Sequence, residues 1–444
     1  MTCYQAHIKS VKDNDMRIVK LTSETKNKLM TDLLKRTTDD YGEQEAIVKD
    51  IIKNVHDNGD KAVFEYTKKF DKADINASNV KVTDAEIEEA YGLMDGDLIE
   101  VIRKAIKNIK DFHELQKRNS WINTYDNGSV LGQRVTPIES AGVYVPGGKA
   151  AYPSTVLMNV IPAKVAGVEK IVMTTPCNAE GKVYPTTLVA AKEAGVTDIY
   201  KIGGAQAIAA LAYGTESIPK VDKIVGPGNI FVAIAKRLCY GHVSIDSIAG
   251  PSEILVLADE TANPEYVAAD LLSQAEHDEL ASATLVTTSE KLANEVSEWV
   301  DKFTAELSRK EIIQKSIDNF GNIFVADNMA DAVDATNEIA PEHLEIITAN
   351  PWETMTHVKN AGAIFLGEYS SEPLGDYFAG PNHVLPTNGT ARFFSPLGVD
   401  DFVKKSSIIC YSEEALRAVH TDIETFAKAE GLTAHANSIA VRFK

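Results

Sequence analysis

Gln274 and His277 stand three residues apart in a stretch that opens with Asn263 and Pro264, a good helix start. That spacing sets both side chains on one helix face, with Cβ atoms roughly 5–6 Å from each other. An amide oxygen and an imidazole nitrogen so placed can share one metal ion. The same pattern also suits a helix end whose histidine faces the C-terminal dipole. Glu342 and His343 are neighbours in Ala340-Pro341-Glu342-His343-Leu344-Glu345. They put a carboxylate beside the side chain whose ordinary pKa lies nearest neutrality, the combination that general acid–base work needs. A polar loop at 374–383 holds Asp376 and His383 seven residues apart, and Glu430 and His435 repeat the acid and imidazole near the end of the chain. Singly, each of these could be a salt bridge or a cap.

Three glycine-bearing segments offer a second kind of chemistry: Pro146-Gly147-Gly148, Gly203-Gly204-Ala205-Gln206 and Gly226-Pro227-Gly228-Asn229. Glycine lets backbone N–H groups approach a phosphate closely, and a helix that starts there favours an anion. None completes GxGxxG, and no acid stands at the ribose-reading offset. Tight turns between strands and helices need glycine as well. Tyr144, Gln206 and Asn229 flank these segments as ring-stacking and hydrogen-bonding groups for a nucleotide. Ser252, in the polar run before the apolar stretch 253–258, is either a ligand contact or a turn residue.

The elements that must position these residues follow from the apolar rhythm. From about residue 141, short apolar runs at 142–145, 170–174, 198–202 and 223–225 each precede a helical stretch, at 154–166, 185–194, 205–212 and 230–240. A second series of runs lies at 253–258, 283–287, 322–325, 345–348 and 363–366. Strands alternating with helices predict βαβ units and parallel sheets. The fold class is therefore α/β, with two open Rossmann-like parallel-sheet domains. A helix-rich N-terminal region precedes them and a small C-terminal tail module follows. The expected division is a helical arm at 1–40, a larger α/β domain from 41–140 plus 245–385, an inserted domain at 141–244, and a dimerisation tail at 386–444. In such sheets ligands gather at the carboxyl ends of strands, so the loops leading into helices are the place to look.

Bulk properties exclude several classes. With 444 residues and 44% hydrophobic content the chain exceeds one core, since single cores stop growing near about 250–300 residues. A net charge of −19 argues against nucleic-acid and anionic-membrane surfaces. Cys3, Cys177, Cys239 and Cys410 lie far apart without a CxxC pair, and the N-terminus lacks the apolar core of a secretory signal. No apolar run nears the ~18–20 residues of a membrane span. The expectation is a cytoplasmic enzyme.

The motifs, taken in order, resemble the histidinol dehydrogenase family: GVYVPGG at 142–148, GGAQA at 203–207, GPGN at 226–229, AGPSE at 249–253, QAEHD at 274–278, PEHLE at 341–345, GPNHVLPT at 380–387 and EGLTAH at 430–435. The resemblance implies oxidation of L-histidinol through L-histidinal to L-histidine, with two NAD+ used in turn. It implies zinc, one per subunit, held by Gln274, His277, Asp376 and His435. It gives His343 the role of base for the alcohol and Glu342 that of activating water for the aldehyde step. Ser252, His383 and Glu430 match substrate-holding positions, joined by the metal-site residues and His343, while Tyr144, Gln206 and Asn229 match positions that touch NAD. An intertwined homodimer with shared active sites is implied too, with Glu430 and His435 entering from the partner chain. Amide, imidazole and carboxylate together form an N/O set that suits zinc. Cys239 falls in an apolar helix and reads as core, so activated water is preferred to a thiol nucleophile. The alternative is a sister dehydrogenase acting on another amino alcohol or polyol.

Overall fold

The protein is described by a computed structural model covering residues 16–35, 42–147, 151–248 and 250–443. Half of the expected 1–40 arm (1–15 and 36–40), Gly148 of the first glycine segment and Ala249 lie outside those residues. Two parallel sheets dominate. The smaller has five strands in the order Asp198–Tyr200, Lys170–Thr174, Ser140–Tyr144, Lys223–Val225 and Ser244–Ile245. Helices Pro153–Ala166, Pro185–Glu193, Gly204–Tyr213 and Ile230–Cys239 follow its strands. Residues such as Val143, Val172, Met173 and Ile224 are wholly buried, as strands covered on both faces require.

The larger sheet has six strands: Arg17–Lys20, Gly321–Val325, Ser282–Thr287, Glu253–Ala258, His343–Ile347 and Ala363–Leu366. Every adjacent pair is parallel. Its edge strand Arg17–Lys20 comes from the part of the chain expected to be a helical arm. Residues 246–252 carry the chain from the smaller sheet into the larger.

Two further features depart from the sequence expectation. Helices Gly42–Phe70, Asp84–Gly92 and Gly96–Glu114 do not share a core with the six-stranded sheet. Val48, Ile51, Val55, Val63 and Ile109 instead join the apolar cluster built on Val143, Ile208, Leu211 and Ile234 of the five-stranded unit. The apolar stripe of these helices is real; which sheet it covers is a long-range choice that periodicity does not carry.

The second departure is a three-stranded antiparallel sheet formed by Trp121–Thr124, Val130–Pro137 and Val403–Cys410. It ties the tail to the N-terminal third. Asp126-Asn127-Gly128 turns the hairpin, with Gly128 at φ 78° and Tyr125 N–H donating to the carbonyl of Ser129 at 2.9 Å. Asn-Gly between β-branched runs is a hairpin signal that the helix-rich reading of this region passed over. Helices Glu413–Ala429 and Thr433–Ala440 complete the tail.

Candidate active site

The catalytic candidates meet at the amino edge of the six-stranded sheet, not at its carboxyl edge as expected. His343 opens its strand and pairs in register with Ile254 and Ala363, so Glu342 and Gly362, each just before its strand, line up with Glu253, the first residue of its own. The tight passage there needs glycine: a Cβ on Gly362 would stand 2.5 Å from the carbonyl oxygen of Glu342. The chain reaches Glu342 from helix Met329–Ile339 through Ala340, whose φ is 52°. Helix Pro264–Ala275, capped by the Asn263 side chain, brings Gln274 and His277 to the same edge at its C-terminal end.

His343 is buried, and its Nδ1 donates to the Glu253 carbonyl at 3.0 Å. That bond commits Nδ1 to carry the proton and leaves Nε2 as a lone pair. Nε2 has no hydrogen-bond partner among the described residues and stands 3.9 Å from Asp376 Oδ1. Burial lowers the His343 pKa, so the imidazole stays neutral. Beside it, Glu342 Oε2 accepts from the Glu253 N–H at 2.9 Å, and burial raises its pKa well above the ordinary carboxylate range. His383 donates from Nδ1 to the Asp376 carbonyl at 3.1 Å, and burial pushes it down to about 4. His343, Asp376 and His383 share a cleft of about 930 Å³ that also takes in Phe112 and Leu397.

A metal fits these surroundings. Donor atoms of His277, Glu372 and Asp376 lie within 4.8 Å of one another. Burial, with Glu372 alongside, pushes Asp376 up to about 8, the mark of a crowded acidic pocket that a cation would relieve. The Gln274 side chain is fully buried, yet neither its oxygen nor its nitrogen has a partner among the described residues. A buried amide is rarely left so unless something else completes it. Glu372 was not singled out from the sequence. It is buried on the short helix Glu372–Tyr377, accepts from Ser273 Oγ at 2.8 Å and stands one helical turn before Asp376. An acid at i and another at i+4 on one helix face was the available signal.

Glu430 and His435 lie elsewhere in this chain. They line a separate surface groove with Ile423, Phe426 and Leu432, apart from the His343–Asp376 cleft. Ser252, partly buried, immediately precedes Glu253 at the entry to the sheet.

The nucleotide candidates occupy the carboxyl edge of the five-stranded sheet. Tyr144 ends its strand, Gln206 lies in the first turn of helix Gly204–Tyr213, and Asn229 caps helix Ile230–Cys239 by accepting from Val232 N–H at 3.2 Å. The buried Tyr144 hydroxyl accepts from the Gly204 N–H at 3.1 Å, linking two of the glycine loops. Both polar atoms of the Gln206 side chain are buried without a partner among the described residues, like those of Gln274. The cysteines in this half are poor nucleophiles: burial pushes Cys177 up to about 11 and Cys239 to about 12.

Two parallel sheets, with glycine loops at the carboxyl edge of one and a buried imidazole–carboxylate cluster at the amino edge of the other, define an α/β architecture. The histidinol dehydrogenase family model matches residues 34–443. Histidinol dehydrogenase of Clostridium acetobutylicum is 57% identical over 429 residues, covering 97% of this chain and 99% of the relative. That of Bacillus subtilis is 59% identical over 410 residues, covering 92% and 96%. The crystal structure of histidinol dehydrogenase from Elizabethkingia anophelis superposes with a TM-score of 0.92 at 38% identity, covering 97% of this chain and 98% of that one. This chain belongs to the histidinol dehydrogenase family and is an oxidoreductase. Among the described residues no helix is long and apolar enough to cross a membrane.

Proposed function

We propose that the protein oxidises L-histidinol through L-histidinal to L-histidine, the last steps of histidine biosynthesis, in the cytosol. The carrying observation is His343: buried, neutral, its Nδ1 occupied by a carbonyl and its Nε2 open toward Asp376. In the first step His343 Nε2 takes the alcohol proton as the carbinol carbon loses its hydride. Tyr144, Gln206 and Asn229 would hold NAD+, which would supply the acceptor for that hydride. In the second step Glu342 as carboxylate removes a proton from water, whose oxygen adds to the aldehyde carbon. Glu342 returns that proton to the former carbonyl oxygen as the hydrate forms. It then takes a hydroxyl proton as the hydride leaves, for which a second NAD+ would be the acceptor. The carboxylic acid so formed releases its remaining proton to solvent. General bases so placed are typically worth about 10²–10⁴ in rate.

Gln274, His277, Asp376 and a second copy's His435 would hold zinc, whose chief contribution is to orient the substrate's nitrogens. Glu372, close enough to His277 and Asp376, adds charge to that pocket. Ser252, His383 and Glu430 would grip the substrate around the reacting carbon. The exposed apolar residues Phe426, Leu432 and Ile409 on the tail suit burial against another copy, which supports a homodimer with shared sites.

The test is NADH formation at 340 nm with L-histidinol, run before and after chelation and again after zinc is added back. Two NADH per histidinol, lost with the chelator and restored by zinc, is the expected result. Turnover of other amino alcohols or polyols in preference to histidinol would favour a sister activity. Full activity in metal-free protein would remove zinc from the reading.

A further inference from the structure

Lys236 and Asp246 are an ion pair whose side chains are 4% and 5% exposed, and the proposed chemistry gives neither a role. Burying such a pair rarely gains stability over an apolar pair of the same size, so its presence asks for a local reason. Both partners converge on Gly226. Asp246 Oδ2 accepts the Gly226 N–H at 2.8 Å, and Lys236 Nζ donates to the Gly226 carbonyl at 2.9 Å. Gly226 has φ 113°, and a Cβ there would stand 2.0 Å from the Tyr144 carbonyl oxygen. Two residues on, a Cβ on Gly228 would stand 3.1 Å from the Tyr144 ring. The loop is therefore pressed on Tyr144 from one side and pinned through both polar groups of Gly226 from the other.

We infer that Lys236 and Asp246 are positioning residues for NAD+: they hold the loop 226–229 in its cofactor-accepting shape. The inference rests on the reading that this loop receives the dinucleotide. The pinning has two sources. Lys236 lies on helix Ile230–Cys239, which the loop itself begins through Asn229. Asp246 lies just past strand Ser244–Ile245, and its Oδ1 accepts the Ser247 N–H at 2.7 Å. That second anchor is also the first residue of the crossing into the six-stranded sheet. The connection continues to Gly250, whose N–H donates to Thr387 Oγ1 at 2.7 Å, and then to Ser252. One carboxylate thus fixes the cofactor loop and the start of the segment that reaches the substrate side.

Removing Lys236 alone would strand a buried carboxylate, so the main variant is the neutral double substitution Lys236→Met with Asp246→Asn. Zinc-loaded protein is compared with wild type by NAD+ titration calorimetry, by KM and kcat, and by amide hydrogen exchange at residues 228 and 229. Expected are NAD+ binding at least tenfold weaker, kcat at saturating NAD+ within threefold, and an unchanged KM for histidinol. Exchange at the two amides should be at least tenfold faster, and Lys236→Arg should stay within threefold of wild type throughout. A folded double variant with NAD+ affinity and exchange within twofold of wild type would overturn the inference. If that variant does not fold, Asp246→Asn alone decides. It keeps an acceptor for Gly226 N–H and loses the charge; at least threefold weaker binding supports the clamp and unchanged binding overturns it. A wild type that binds no NAD+ refutes the cofactor reading instead, and the exchange rates then still settle whether the pair orders the loop.

Discussion

Glu253 holds both catalytic candidates with a single peptide unit on each side of its Cα: its N–H binds Glu342 Oε2 at 2.9 Å and its carbonyl binds His343 Nδ1 at 3.0 Å. The acid and the imidazole are adjacent in sequence yet are set by separate hydrogen bonds, so each can be disabled without releasing the other.

Glu342→Gln retains an oxygen for the Glu253 N–H and loses the base. Single-turnover assays of the two half-reactions should show aldehyde oxidation falling by about 10²–10⁴ while alcohol oxidation falls less than about tenfold. His343→Gln should reverse the pattern for the alcohol step. Equal losses in both steps for Glu342→Gln would end the proposed division of labour.

Glu430 and His435 sit in a groove of their own, away from His343 and Asp376 in the same chain. Homodimers of Glu342→Gln and of His435→Ala should each be inactive in forming histidine, the product to be measured here. Unfolded and refolded together, they should form heterodimers in which one site carries both defects and the other neither, returning up to half the activity per heterodimer. Verified heterodimers that stay inactive would show that the tail serves its own chain.

Asp71 gives a stability prediction tied to pH. Burial pushes its carboxyl up to about 6 from an ordinary 3.8, and Oδ2 has no partner among the described residues. A group whose folded pKa is raised contributes fully below the unfolded pKa, and that contribution is lost as pH rises through the folded value. The wild type should therefore lose stability between about pH 4 and 7 on this account. Asp71→Asn should melt higher than wild type at pH 7.5, by a margin that shrinks toward pH 4. Discounted for partial exposure, the gain is roughly 1 kcal/mol. A margin that does not change with pH would remove burial of this carboxylate as its cause.

Much of the architecture was legible because parallel strands announce themselves. Runs such as 170–174 and 253–258 are apolar on both faces and end in glycine or turn residues, and both strands appear at those bounds. Local pattern could not say which edge of the larger sheet would be used. The general rule pointed to the carboxyl ends, while Glu342 and His343 sit at the amino end because their loop, not the one after the strand, faces the cleft. Glu372 was hidden for a different reason. It is one of 64 acidic residues, and only the fold shows that it is buried against Asp376. Lys236 and Asp246 pair directly and also share the backbone of Gly226, a relation that no spacing reveals. The hairpin at 121–137 was readable from Asn127-Gly128 but was outweighed by the charged helices before it.

The two sheets gather their candidate site residues at opposite edges, and the helix ends found there are opposite in sign. At the carboxyl edge of the five-stranded sheet, helices Gly204–Tyr213 and Ile230–Cys239 begin, so free N–H groups and positive helix ends face whatever binds there. At the amino edge of the six-stranded sheet, helices Pro264–Ala275 and Met329–Ile339 end, and their terminal carbonyls and negative ends converge on Gln274, His277 and Glu342. One rim is thus a natural seat for a pyrophosphate, the other for a metal cation and an ammonium. An anion and a cation drawn to rims of opposite sign would not compete for the same place.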